Sequence, residues 1–185
     1  MKYLKESVAG GALKPGSLVI LDFKGIKGTN GSYIKGTALW LWTCGNLSTN
    51  GSQALSPPRH RADPRPYDLY PCVTGLAKEL EAEFQEFFRP RKLPLLLARE
   101  MGQEVLEEAV LLGHLDPALR FTLNAATQKQ RVTAPELYKA NPNEEVTVTA
   151  WNNRLNDLYA LRLLRRIRAG RVWQYEPLAK QITWE

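Results

Sequence analysis

MGQEVLEEAVLLGHL, residues 101 to 115, lies past the middle of a 185-residue chain, and how it is read governs how the rest is divided. Its acidic residues can all stand on the outer side of an amphipathic helix. A helix there links two halves, residues 1–100 and 116–185. The chain is long enough for one large domain or two small ones, each with its own core.

Toward the N-terminus, LPLLLAR reads as a strand. AKELEAEFQEFFR reads as an amphipathic helix with Leu80, Phe84, Phe87 and Phe88 toward the core, and DLYPCVTGL as a further strand. SLVILDF, residues 17–23, is a near-continuous apolar run after a Pro-Gly turn and reads as a strand buried on both faces. SYIKGTALWLWTC, from Ser32, can form a helix with Ile34, Leu39 and Trp42 near one side, although its aromatics also suit a strand. Residues 45–66 are rich in Gly, Ser, Asn and Pro and read as a long loop. Strand and helix alternate, which implies a small α/β sandwich.

Toward the C-terminus, Asp116-Pro117 opens a helix with an N-cap carboxylate and proline in the first turn, and ALRFTLNAATQKQ continues it. Thr133 and Glu136 have capping-box spacing before a short helix, PELYKAN, that stops near Pro142. VTVTAWNNRLNDLYALRLL reads as a third helix with Thr147 or Thr149 as cap and a buried stripe of Val148, Trp151, Leu155 and Leu158. LLRRIRAGRVWQYEP then reads as a hairpin with Ala169-Gly170 as its turn. That register sets Ile167 opposite Val172 and Arg166 opposite Trp173, with Arg168 and Arg171 at the tip. Like charges so placed lower stability unless something compensates them. A phosphate backbone is one candidate; a cation–π contact of Arg166 over Trp173 in a solvated hairpin is the other.

The charge supports the first candidate. Between Arg120 and Lys180 basic residues exceed acidic ones by the whole net charge of the chain, +6, and the remainder is neutral. Such asymmetry points to an electrostatic task for the C-terminal part. No stretch approaches the roughly 18 to 20 apolar residues of a membrane span, and MKYLKESVAGGALKPGS lacks the apolar core of a secretion signal. A cytoplasmic protein without membrane contact is expected. Cys44 and Cys72 have no CxxC spacing and read as small buried hydrophobes.

Three helices followed by a basic hairpin are the parts of a winged helix-turn-helix domain. RLNDLYALRLLRRIRAGRVWQYEP resembles the recognition helix and wing of bacterial winged-helix regulators, over roughly residues 116–178. The resemblance implies a domain that reads double-stranded DNA. Polar side chains on the outer faces of the helix, Thr149, Asn152, Asn153 and Asn156, would enter the major groove, where Asn pairs with adenine. Arg154 would suit a guanine or a phosphate. Arg166, Arg168 and Arg171 on the wing would neutralise backbone charge. RNA stays open as a partner.

LVILDFKGIKGTNGSYIKGTALWL resembles the segment of STAS-like domains in which an apolar strand ending in Leu-Asp leads through a loop into a helix. In anti-sigma antagonists a serine at the head of that helix is phosphorylated. Counted without gaps from Leu21-Asp22, that position falls on Gly31 and Ser32 is one residue late, so Ser32 reads first as an N-cap and second as a regulatory site. Asp22 can bond the loop that follows it.

No catalytic constellation stands out. His60 and His114 have no partners at ligand spacing, no GxSxG, Walker loop or HExxH occurs, and the glutamates of AKELEAEFQEFFR read as a wet helix face. No enzyme, metal or cofactor is expected. The fold class that follows is α/β: a small STAS-like α/β sandwich, a linking helix and an α+β winged helix-turn-helix domain. The function expected is a transcriptional regulator, a homodimer pairing two winged helices on DNA half-sites, with a regulatory protein or small-molecule ligand at the N-terminal domain. The alternative is an adaptor that works through protein contacts alone.

Overall fold

The KELEAEFQEFF segment is helical because its apolar residues recur on one face: Leu80, Phe84 and Phe88 are fully buried, while Glu79 and Glu86 stay in water. This helix and its neighbours are seen in a computed structural model, which describes residues 16–43 and 69–184. The expected loop at 45–66, with Cys44 and His60, falls outside the described residues.

The elements run β1 (Leu18–Asp22), α1, β2 (Tyr70–Thr74), α2 (Lys78–Phe88), β3 (Pro94–Met101), β4 (Leu106–Gly113), α3 (Pro117–Thr127), α4 (Ala134–Ala140), α5 (Val148–Ala160), β5 (Leu164–Ala169), β6 (Val172–Pro177) and β7 (Ala179–Trp184). Helix α1 joins Gly31–Ile34, a π-helical turn Lys35–Leu39 and Trp40–Thr43. Ile34, Leu39 and Trp42 are buried, as their spacing predicts.

Five strands form one mixed, mostly parallel sheet in the order β1-β2-β3-β4-β7. Strands β1, β2 and β3 are mutually parallel, β4 is antiparallel to β3, and β7 is parallel to β4. Parallel neighbours need a long crossover. Here the crossover from β4 to β7 is the whole run of α3, α4, α5 and the β5–β6 hairpin, so the sheet draws strands from both ends of the chain. The core is likewise continuous, from Phe84, Leu96 and Leu111 to Trp151 and Leu155.

The linking helix expected over 101–115 is not formed. Leu106–Gly113 is a strand between β3 and β7, with Leu106 and Ala109 through Gly113 buried. A strand covered on both faces shows no alternation, so an apolar run with a few acids is ambiguous between helix and strand until its neighbours are known. Its acids sit where the sheet can bear them: Glu107 takes an ion pair from Lys180 at 2.7 Å.

SLVILDF forms β1 as expected but is not buried on both faces. It is an edge strand, and Ile20 is 37% exposed.

The capping signals hold. Asp116 accepts from Ala118 N, and Thr133 and Glu136 form the reciprocal capping box. Val132, between α3 and α4, exchanges both backbone hydrogen bonds with Tyr175 of β6, so the two-stranded β5–β6 sheet carries a third, one-residue strand.

Candidate nucleic-acid interface

Helix α5 begins at Thr147, whose hydroxyl accepts from Ala150 N at 3.2 Å, so Thr147 and not Thr149 is the cap. Trp151, Leu155 and Leu158 are 0% exposed and form the expected stripe. Val148, expected in it, is exposed, because it opens the helix ahead of the turn on which Trp151 enters the core. At 100° per residue, Thr149 and Asn153 stand opposite the stripe, and both are exposed. Asn152, Arg154 and Asn156 lie on the flanks, half-buried. The Arg154 guanidinium leans back over Trp151, 5.6 Å from the ring centroid.

The hairpin turn lies one residue later than expected, so each cross-strand partner moves by two residues. Ala169 pairs with Val172, Arg168 with Trp173, Ile167 with Gln174, Arg166 with Tyr175 and Arg165 with Glu176. The turn residues are therefore Gly170 and Arg171. Glycine at the first central position takes a φ of 62°, which a side chain would strain. Alternation along the strands sorts the arginines by face. Arg166, Arg168, Trp173 and Tyr175 share one face; Arg165, Ile167, Gln174 and Glu176 share the other.

On the first face the guanidinium of Arg166 lies between two rings, 4.4 Å from the centroid of Tyr159 and 4.3 Å from that of Trp173. The expected contact with Trp173 is thus made, as a diagonal pair. Arg166 also donates to Asn156 Oδ1 at 3.3 Å, and the Tyr175 hydroxyl donates to the same oxygen at 2.9 Å. The other end of that amide, Nδ2, donates to Asn152 O at 2.9 Å. Asn156 is therefore spent inside the protein, tying α5 to both strands of the hairpin. Burial pushes the Tyr175 phenol above its usual range, and the neighbouring Arg166 charge pulls it back.

On the second face Glu176 lies 3.7 Å from Arg165 and 3.4 Å from Arg131, and Arg165 also donates to Glu104 O at 3.2 Å. The like charges that seemed to need an outside partner are thus half answered from within: Arg165 by a carboxylate, Arg166 by two aromatic rings and an amide.

Arg168 and Arg171 remain at the tip, both exposed, and among the described residues neither is in an ion pair. Arg168 donates to Gly170 O at 3.1 Å and rests 5.0 Å from the Trp173 centroid. Beside them Val172 is 52% and Trp173 37% exposed.

The eight expected nucleic-acid contacts therefore fall into two groups. Thr149, Asn152, Asn153, Arg168 and Arg171 face outward or flank the outer face, whereas Asn156 and Arg166 are built into the joint between helix and hairpin, and Arg154 is folded onto Trp151. Tyr159 and Tyr175, which complete the joint, escaped the sequence reading. Their aromatic character was visible, but their opposition across two elements was not.

In the N-terminal half Ser32 is exposed in the first turn of α1, and the cap is Asn30, which accepts from Tyr33 N at 2.9 Å. Ser32 is thus not the N-cap, because the helix begins two residues earlier than its position requires. Asp22 does bond the following loop, accepting from Lys24 N at 2.8 Å.

A shallow groove on α2 is lined by Lys78, Glu81, Gln85 and Arg89, with Arg99 of β3. Arg99 there grips Glu81 through two hydrogen bonds, of 2.9 and 2.5 Å. Among the described residues no group of three or more His, Cys, Asp or Glu could hold a metal ion, and no helix is long and apolar enough to cross a membrane. Cys72 is buried, and burial pushes its thiol to about 12.

Comparison of the chain with protein-family models, with curated proteins and with solved structures gives no match.

Proposed function

We propose that the chain is a cytoplasmic, sequence-specific double-stranded DNA-binding transcriptional regulator, in which α5 enters the major groove and the β5–β6 hairpin lies along the backbone. The reading rests above all on the joint at Asn156, which holds the outer face of α5 and the arginine tip of the hairpin on one rigid surface. A helix fixed to a basic hairpin is what a winged helix requires. The order helix, one-residue strand, helix, helix, hairpin supports the same likeness.

In this reading Asn152, Asn153 and Thr149 read base edges, and Arg168 and Arg171 contact phosphates. Arg166 and Asn156 hold the geometry. The sheet of β1–β4 and β7 plays the part of a STAS-like domain that receives the signal, from a protein or a small molecule, with Ser32 as a second point of control. A homodimer would set two such surfaces on half-sites about one helical turn apart.

The test is binding to a labelled fragment of the DNA upstream of the protein's own coding sequence, over a salt series and with unrelated competitor. Wild type should form a competitor-resistant complex. Arg168→Ala/Arg171→Ala should weaken it on every sequence and lower the slope of log affinity against log salt by about 2. Asn152→Ala/Asn153→Ala should remove sequence preference. Absence of a complex at low salt overturns the reading. It would favour an adaptor working through protein contacts, which the exposed Val172 and Trp173 at the same tip would also suit.

A further inference from the structure

Arg162 is an arginine where a glycine would be expected. Helix α5 ends with Leu163 N donating to Leu158 O and Arg162 N to Tyr159 O, each at 3.0 Å, and Arg162 takes the left-handed conformation with φ 60°. That ending favours glycine, because a side chain there is strained. The strain is accepted together with a long charged side chain that is almost wholly buried, at 3% exposure. An outlier of this kind persists only where its surroundings hold it.

The side chain runs out of the helical module into the N-terminal half. Its Nε donates to Trp42 O in the last turn of α1 at 2.6 Å, and its Nη1 donates to Leu69 O, just ahead of β2. A cation on the last carbonyls of a helix satisfies orphan acceptors and suits the helix dipole. Trp42 is itself fixed: its indole Nε1 donates to Pro94 O at 3.0 Å, at the first residue of β3, and its ring lies under the guanidinium at 5.9 Å. Arg162 thus joins the end of α5 to the end of α1 and the start of β2, while Trp42 joins the same point to β3.

Helix α1 also carries the π-helical turn Lys35–Leu39, which holds one residue more than a regular helix has room for. Rewinding that turn to a regular helix would rotate everything beyond it by about 100°. The Trp40–Thr43 turn, and with it the carbonyl that Arg162 grips, cannot follow such a turn and stay in place.

We propose that Arg162 is a coupling strut: a change in the winding of α1, produced by whatever binds or modifies the N-terminal half, reaches α5 and the arginine hairpin through it. Asn156 and Arg166 then pass the displacement from α5 to the hairpin. The proposal does not depend on what that outer surface binds.

Amide hydrogen exchange on the full chain tests it by double-mutant cycle. Two substitutions disturb α1: Gly36→Ala within the π turn, and Trp42→Phe, which removes the indole N–H while leaving the backbone carbonyl. Each is made with Arg162, with Arg162→Gly, which keeps the left-handed turn without a side chain, and with Arg162→Lys, which keeps the charge but not the two-pronged reach. With Arg162 present, each α1 change should alter exchange in residues 148–177 by about threefold or more. With Gly or Lys at 162, the response should stay within α1, β2 and β3. If Arg162→Gly fails to fold, as exchange in β3 and β4 would report, the Lys background carries the comparison. An equal response of 148–177 in all backgrounds, or none with Arg162, overturns the proposal.

Discussion

Among the described residues two antiparallel hairpins are built on opposite terms. In β3–β4 the four consecutive pairs from Leu95–Leu112 to Ala98–Ala109 are leucine, alanine and valine: Leu96 faces Leu111 and Leu97 faces Val110, and all are buried. In β5–β6 the pairs include Arg168 with Trp173 and Arg165 with Glu176, and the tip is in water. The first is held by the removal of apolar surface from both faces. Beyond its base, where Leu164 and Tyr175 are buried in the core, the second is held by cation–π contacts, one shared carboxylate and the Asn156 amide, each directional and modest. A core hairpin therefore tolerates no change of shape, whereas a surface hairpin leaves its tip residues free for an outside partner.

The widest gap between the two should appear at their glycines. A Cβ on Gly113, at the end of β4, would lie 2.1 Å from Leu93 O, and its φ is 88°. Gly113→Ala should cost about 4 kcal/mol or more in denaturant unfolding, a size reserved for such named clashes. Gly170 has a comparable φ of 62° but open space around it, so Gly170→Ala should cost only about 1–2 kcal/mol. Equal costs would show that β3–β4 can relax, and would remove the contrast.

Next in size is cavity formation. Leu96→Ala should lose about 2–5 kcal/mol, and Val172→Ala on the exposed face less than about 0.5 kcal/mol, by the same unfolding measurement.

A smaller effect probes the joint. Arg166→Ala and Tyr175→Phe should each cost about 1–2 kcal/mol, and their double variant less than the sum, since both donate to Asn156 Oδ1. Strict additivity would mean that the cluster does not act as a unit.

The smallest stability effect should fall at the tip. Arg168→Ala/Arg171→Ala should leave unfolding within about 0.5 kcal/mol of wild type while weakening the DNA binding proposed above. A large loss of stability there would make these residues structural and remove them from the interface.

The same contrast explains what could be read from the chain. In the C-terminal module the helices announce themselves by their caps and by a single wet face: Asp116-Pro117, Thr133 with Glu136, and the Trp151-Leu155-Leu158 stripe all appear where expected. The β5–β6 hairpin was legible too, but its register was not. One residue of difference in the turn changed the cross-strand partner of each arginine, and the Val132–Tyr175 bridge that accompanies the actual register joins residues far apart in sequence. In β4 the reverse holds. Its apolar residues mark burial without saying of what kind, and β3 and β7 convert a plausible helix into a central strand.

The sequence by itself determined where the α3 and α4 helices start, that Trp151, Leu155 and Leu158 form a buried stripe, and that positive charge gathers toward the C-terminal third. These are local properties, set by side-chain period, capping chemistry and composition. Only the tertiary structure decided that β7 returns to the N-terminal sheet, that Arg165 and Arg166 are satisfied from within while Arg168 and Arg171 are not, and that Arg162 reaches Trp42 and Leu69. Each of these depends on which distant group stands within hydrogen-bonding distance, and a chain read in order carries no record of that distance.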